Sequence, residues 1–109
     1  MKVLPILAAA AAVFAFSTAS AAPDADAANK VLKDQGCTKC HSVDKAKKGP
    51  AFKKVAADMK GKADAEAKLT TFLTTGPKVK LDDGTQEEHK VVKADAATVK
   101  NLVQWILSQ

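Results

Sequence analysis

The 109-residue chain contains no arginine and no tyrosine, and all 17 of its basic residues are lysines. After residue 21, its only aromatic side chains are Phe52, Phe72 and Trp105. Surfaces that recognise nucleic acids usually combine arginines with interleaved aromatic residues. The sequence therefore argues against nucleic-acid binding, although 17 basic residues against 12 acidic ones make the chain moderately basic.

Cysteine and histidine are also scarce, with only Cys37, Cys40, His41 and His89 in the whole chain. A C-x-x-C pair can be half of a zinc site, but such a site needs further ligands at matched spacing. It can also be a thioredoxin-like redox pair, which requires alternating strands and helices. The sequence supplies neither the extra ligands nor the alternation, so both interpretations are disfavoured.

No apolar run reaches the roughly 20 residues that a transmembrane helix requires. The longest run, residues 3–16, follows a basic start at Lys2 and precedes Ala19-Ser20-Ala21. A basic start, a short apolar stretch and an A-x-A site are typical of a cleaved secretory signal peptide. We therefore predict a signal peptide over residues 1–21 and one exported, periplasmic domain over residues 22–109, without stable membrane insertion. An uncleaved membrane anchor is the alternative.

Cys37, Cys40 and His41 form the motif C-x-x-C-H. Two thiols three positions apart can bond to the two vinyl groups of one haem, and the next histidine can bind its iron. Thiols in an oxidising compartment tend to oxidise unless they are used in this way. A small domain poor in aromatic residues also gains a core from such a cofactor. The motif predicts one covalent haem c, with His41 as an iron ligand.

Four stretches have the apolar spacing of amphipathic helices. They cover residues 24–35, 50–60 and 64–75, and a last stretch from Asp95 towards the C-terminus. Residues 77–93 show no helical period and contain the turn signal Asp82-Asp83-Gly84. The sequence therefore predicts an all-α domain of about four helices, with one long loop and no clear strand.

C-x-x-C-H followed by Gly49-Pro50 resembles the pattern of small bacterial class I c-type cytochromes with one haem. The resemblance spans the chain after the signal peptide and implies a small cytochrome c fold around that haem. It also implies that the Pro50 carbonyl accepts a hydrogen bond from the haem-binding histidine; a proline that starts a helix is the alternative. Trp105 would pack near the haem and bond a propionate, with plain core packing as its alternative.

In this family the second iron ligand is usually a methionine, sixteen residues before a tryptophan of the last helix. Counted back from Trp105, that position holds His89. Met59 lies on an apolar helix face and is expected in the core. We therefore expect His41 and His89 to ligate the iron together, with a solvated surface histidine as the alternative for His89. Because imidazole favours ferric iron more than a thioether does, the potential should be low, near or below zero against hydrogen.

A haem with both axial positions filled exchanges electrons but does not easily bind substrate. We expect a monomeric electron carrier that is not an enzyme. Its redox partner proteins would carry acidic docking surfaces, attracted by a positive rim of lysines. The nine lysines expected in this rim are Lys39, Lys45, Lys47, Lys48, Lys53, Lys54, Lys78, Lys80 and Lys90.

Two other functions remain open from the sequence. One is a haem protein that binds or senses a gas after His89 is displaced. The other is a lysine-rich binding module without haem, against which the cysteine pair argues.

Overall fold

The computed structural model describes residues 10–13 and 22–109. The predicted signal peptide, residues 1–21, lies outside the described residues except for 10–13. The elements in chain order are α1 (Ala25–Asp34), a short 3-10 turn (Cys37–Lys39), α2 (Phe52–Met59), α3 (Ala65–Thr75), β1 (Lys78–Lys80), β2 (Gln86–Glu88) and α4 (Ala96–Leu107). In the part of the chain that the structure describes, no helix is long and apolar enough to cross a membrane.

Helices α1 and α4 begin at aspartates that cap their free backbone N–H groups. The Asp24 carboxylate accepts a hydrogen bond from the Ala27 N–H at 3.0 Å, and that of Asp95 accepts one from the Thr98 N–H at 2.7 Å. Both contacts are typical of helix N-caps. The sequence predicted both helix starts to within one residue.

Helix α4 forms the centre of the domain, because α1, α2 and α3 all pack against it. Leu102 and Val103 of α4 are almost completely buried. Two reciprocal hydrogen-bonded pairs fasten α1 to the chain around α4: Asp24 with Asn101, and Gln35 with Lys93. The first and last helices therefore close one core, and the four predicted helices of the cytochrome c fold are confirmed.

The long loop between α3 and α4 contains an antiparallel hairpin, so the prediction of no strand was wrong. Lys78 pairs with Glu88 and Lys80 with Gln86. Gly84, at φ +85°, lies in the turn that joins the strands. Each strand has only three residues and is mostly exposed. Strands this short carry no apolar alternation, which is the signal that reveals a strand in a sequence.

Candidate haem site

All four helices and the hairpin contribute side chains to one cavity of about 610 Å³. Cofactor and ligand sites commonly have volumes of about 300–1,000 Å³. The walls are mainly apolar, and their apolar side chains are those of Leu32, Phe52, Val55, Met59, Leu69, Phe72, Leu73, Val79, Val92, Leu102 and Ile106. The predicted site residues Cys37, Cys40, His41, Pro50 and His89 also line this cavity.

The two cysteines lie in the short turn that follows α1. Gly36 ends that helix at φ +72°, and the backbone N–H groups of Cys40 and His41 both donate to the Cys37 carbonyl. This turn brings both thiols and the imidazole to the same cavity. Burial raises the pKa of the Cys37 thiol, and the positive charge of Lys90 opposes that effect.

The His41 imidazole is oriented by the backbone that follows it. Its Nδ1 atom lies 2.7 Å from the Pro50 carbonyl oxygen. Because a carbonyl only accepts, Nδ1 carries the hydrogen, and Nε2 keeps its lone pair for a metal ion. Helix α2 begins at Phe52 after the cap residue Ala51, so Pro50 precedes the helix and is not its first residue. The contact that the resemblance implies is present in the structure, and Pro50 lies two residues before the first residue of α2.

The same imidazole lies between Gly49 and Phe52. A Cβ atom on Gly49 would come within 2.8 Å of both ring nitrogens, so any larger residue would collide with the ring. The Phe52 ring stacks on His41 with centroids 5.2 Å apart and planes at 19°. Gly49-Pro50 was recognised in the sequence as a motif, but the steric reason for its glycine appears only in the structure.

His89 directly follows β2, and its side chain also lines the cavity. Its backbone N–H donates to the Pro77 carbonyl at 2.9 Å, which extends the hairpin pairing by one step. Its Nδ1 atom lies 2.9 Å from the Lys90 carbonyl oxygen. The edge of the Phe72 ring packs against the imidazole, with centroids 4.9 Å apart. As in His41, this tautomer leaves Nε2 free.

The centroids of the two imidazole rings are 6.0 Å apart, and their planes are tilted by 46°. A metal ion bonds an imidazole nitrogen at about 2.0–2.1 Å, and that nitrogen is roughly 1 Å from the ring centre. Two imidazoles that both bound one metal ion would therefore have centroids no more than about 6 Å apart. The donor atoms, the apolar walls and the cavity volume all fit a haem.

Two further residues that the sequence singled out are Trp105 and Met59. Trp105 does not line the cavity; it is 6% exposed and meets Phe52 edge to face, with centroids 5.7 Å apart. It supports the residue that stacks on His41, and its hydrogen bond to a propionate stays a prediction. Met59, expected in the core, is half-buried and lines the cavity wall.

The lysine rim is less positive than the sequence implied. Three of its nine members form ion pairs: Lys48 with Glu87, Lys53 with Asp44, and Lys54 with Asp58. Among the nine, those that line the cavity are Lys48, Lys80 and Lys90. Lys80 and Lys90 have no ion pair with any described residue, and neither has Glu88, which also lines the cavity. The unpaired lysines of the rim at the cavity are therefore the two near His89, with one unpaired carboxylate beside them.

Known proteins resemble this chain over most of its length. The family model for cytochrome c matches residues 25–109. Cytochrome c-551 of Allochromatium vinosum is 38% identical over 93 residues, which cover 85% of this chain and 97% of that protein. Cytochrome c-551 of Pseudomonas aeruginosa is 35% identical over 79 residues, covering 72% and 73% of the two chains.

Solved structures agree with these sequence relatives. The class 1 cytochrome MtoD from Sideroxydans lithotrophicus superposes with a TM-score of 0.78 at 54% identity, covering 80% of this chain and 97% of that one. Cytochrome c552 of Nitrosomonas europaea superposes with a TM-score of 0.61 at 30% identity, covering 73% of this chain and 96% of that one.

Four helices around a cavity that contains C-x-x-C-H define a c-type haem protein. The chain belongs to the cytochrome c family. It is a small class I c-type cytochrome, and it binds one haem c covalently through Cys37 and Cys40.

Proposed function

We propose that the protein is an exported, periplasmic electron carrier in which His41 and His89 are the two axial ligands of a low-potential haem. The observation that supports this proposal is the pair of imidazoles that both line the cavity, with ring centroids 6.0 Å apart. When bound, haem c supplies reversible one-electron exchange at its iron.

The residues around the two histidines favour a carrier over a ligand-binding protein. Each Nδ1–H is held by a backbone carbonyl, so each Nε2 lone pair is available to the iron. With both axial positions taken by the chain, no open position remains for a substrate or a gas. The cavity walls are mainly apolar, and among the described residues no cluster of three or more His, Cys, Asp or Glu could hold a metal ion.

The test of ligation is His89→Ala, studied by visible and near-infrared spectroscopy of the purified haem protein. We expect the wild-type protein to be low-spin without the charge-transfer band of methionine-bound ferric haem, and the variant to be at least partly high-spin. Met59→Leu is the matched control because Met59 also lines the cavity. A low-spin spectrum that survives His89→Ala unchanged would show that His89 is not the ligand.

Carbon monoxide distinguishes the carrier from the gas-binding alternative. It should bind the reduced His89→Ala protein rapidly and the reduced wild-type protein slowly, because His89 has to dissociate first. Rapid binding to the wild-type protein would favour a ligand-binding or sensor function with a displaceable His89.

The low potential is tested by His89→Met. Since a thioether stabilises ferrous iron relative to imidazole, the midpoint potential should rise by at least about 59 mV, a tenfold change in the redox equilibrium of a one-electron couple. Redox titration measures this difference. An unchanged or lower potential would contradict the assignment of the imidazole as the potential-lowering ligand.

The remaining lysine charge near His89 supports docking of acidic redox partner proteins. Lys80→Gln and Lys90→Gln should slow electron exchange with an acidic partner at low salt, and the difference should disappear as salt screens the charges. Lys53→Gln is the control, because Asp44 already pairs with Lys53. If all three variants slowed electron exchange equally, the effect would come from net charge alone and the docking surface near His89 would be wrong.

Export and oligomeric state are tested together on the protein from a native or periplasmic preparation. We expect a mature chain that starts at Ala22 and behaves as a monomer, by mass spectrometry and size-exclusion chromatography. If residues 1–21 were still present in the purified protein, the alternative of an uncleaved membrane anchor would be favoured.

A further inference from the structure

We infer that Gly76 is a positioning residue for His89, so that Gly76-Pro77 supports the second histidine as Gly49-Pro50 supports the first. This inference rests on the proposed ligation of the iron by His89. It concerns the segment formed by residues 89–92, which lies against the last turn of α3.

The close approach at Gly76 leaves no room for a side chain. Gly76 ends α3 in the left-handed conformation, at φ +59°. A Cβ atom there would lie 2.5 Å from the His89 carbonyl oxygen and 2.7 Å from a methyl carbon of Val91. The first of these contacts is with backbone, so a larger residue would have to displace His89 itself.

Backbone hydrogen bonds tie the same segment to the end of α3. The His89 N–H donates to the Pro77 carbonyl at 2.9 Å, and the Val92 N–H donates to the Leu73 carbonyl at 2.8 Å. The carbonyls of the last helical turn have no partner inside a helix. Here the segment that carries His89 supplies a donor for one of them, and Gly76 lies between the two bonds.

The side chain of His89 is held by the same turn. Phe72 of α3 packs its ring edge against the imidazole at 4.9 Å, and the Lys90 carbonyl accepts from Nδ1 at 2.9 Å. A shift of the His89 backbone therefore changes the ring position relative to Phe72. Ligand groups have to be held within about 0.5 Å of their productive geometry, so the close contact at Gly76 determines how well His89 can reach the iron.

The chain offers a matched control for Gly76→Ala. Gly84 has a similar left-handed conformation, at φ +85°, and lies in the same loop, but no heavy atom is within 4 Å of a Cβ placed there. Gly76→Ala and Gly84→Ala therefore share the backbone strain of a left-handed alanine. Only Gly76→Ala adds the collision with His89.

The experiment measures two quantities on each variant of the haem protein. The first is the rate at which carbon monoxide binds the reduced protein, which reports how easily His89 leaves the iron. The second is the hydrogen-exchange rate of the His89 amide, which needs no reaction at the haem. We expect both rates to rise by at least about tenfold in Gly76→Ala relative to Gly84→Ala.

A second variant covers the case in which Gly76→Ala does not fold. Asparagine tolerates the left-handed conformation better than alanine does, but it carries the same Cβ atom. Gly76→Asn should therefore lose less thermal stability and still show the faster carbon monoxide binding. If Gly76→Ala or Gly76→Asn matches Gly84→Ala in both rates, Gly76 is only a helix cap and the inference is wrong.

The same measurements separate this inference from the proposed function. If His89→Ala keeps the low-spin spectrum, the proposed ligation itself fails. If His89→Ala loses that spectrum but the Gly76 variants behave like Gly84→Ala, only the role of Gly76 is overturned.

Discussion

His41 and His89 are held by similar neighbours that come from different parts of the chain. His41 has a glycine against its ring, a carbonyl acceptor at Nδ1 and a stacked Phe52. His89 has a glycine against its backbone, a carbonyl acceptor at Nδ1 and the edge of Phe72. Each imidazole thus has its Nδ1 atom occupied by a backbone carbonyl, and both histidines line the cavity.

The two regions differ in how far their parts lie from each other in the sequence. The neighbours of His41 follow it within eleven residues, in one continuous stretch that ends at Phe52. His89 depends instead on α3 and on the register of a three-residue hairpin. A shift of one residue in that register would turn the alternate side chains to the opposite face. The region of His41 is therefore local in sequence, whereas that of His89 is an assembly of separate elements.

Replacing Phe52 or Phe72 by alanine should reveal the largest difference in stability between the two regions. Phe52 is 5% exposed and contacts both His41 and Trp105, so Phe52→Ala should cost about 3–5 kcal/mol of unfolding free energy. Phe72 is only half-buried, and Phe72→Ala should cost about 1–2 kcal/mol. Guanidinium unfolding followed by circular dichroism measures both values. Equal losses would contradict the view that Phe52 is more deeply embedded in the core than Phe72.

Gly49→Ala should have an intermediate effect, because its Cβ atom would overlap the His41 ring. We expect a loss of about 1–3 kcal/mol in stability, as for an overpacked site, together with an altered axial-ligand spectrum. Gly61→Ala is the control: its φ of +79° brings strain, but nothing lies within 4 Å of its Cβ atom. That control should lose stability without any spectral change. A normal spectrum in Gly49→Ala would show that the ring can move aside.

Asp95 is the N-cap of α4. Its substitution should have the smallest effect on stability of the changes considered. Hydrogen bonds from the Thr98 hydroxyl and from the Thr98 backbone N–H hold the pKa of the Asp95 carboxyl below its usual range. A lowered pKa in the folded state stabilises the fold at neutral pH, and this contribution is lost as the pH falls below about 4. Asp95→Ala should therefore lower Tm by a few degrees at pH 7.

Measuring Tm at acidic pH tests whether the ionised Asp95 carboxylate is the stabilising group. The Tm difference between wild type and Asp95→Ala should shrink as the pH falls through the lowered pKa of Asp95. Asp95→Asn keeps a good cap but cannot titrate, so it should remain near wild type at pH 7. A difference in Tm that is constant down to pH 2, or any change in the haem spectrum, would contradict this account.

The helices were predictable because each has an apolar face and a recognisable start or stop. Asp24 and Asp95 mark two starts, and Gly76 marks the end of α3. The hairpin was missed because its residues are few, exposed and charged, so burial leaves no pattern in them. Trp105 meets Phe52 edge to face, and Phe52 in turn stacks on His41; the place of Trp105 beside the haem stays a prediction. Contacts between residues so far apart in the sequence depend on tertiary packing, which a local sequence pattern does not reveal.

The sequence by itself determined the attachment chemistry, because Cys37, Cys40 and His41 are neighbours in the chain and one turn brings them together. The sequence also suggested His89 as the second iron ligand, because it lies sixteen residues before Trp105. Only the tertiary structure shows that the two imidazole rings have centroids 6.0 Å apart, since this requires the hairpin and the last turn of α3 to bring His89 to the cavity. A contact between residues distant in sequence depends on every element between them, and for that reason the second histidine could be proposed but not placed before the fold was known.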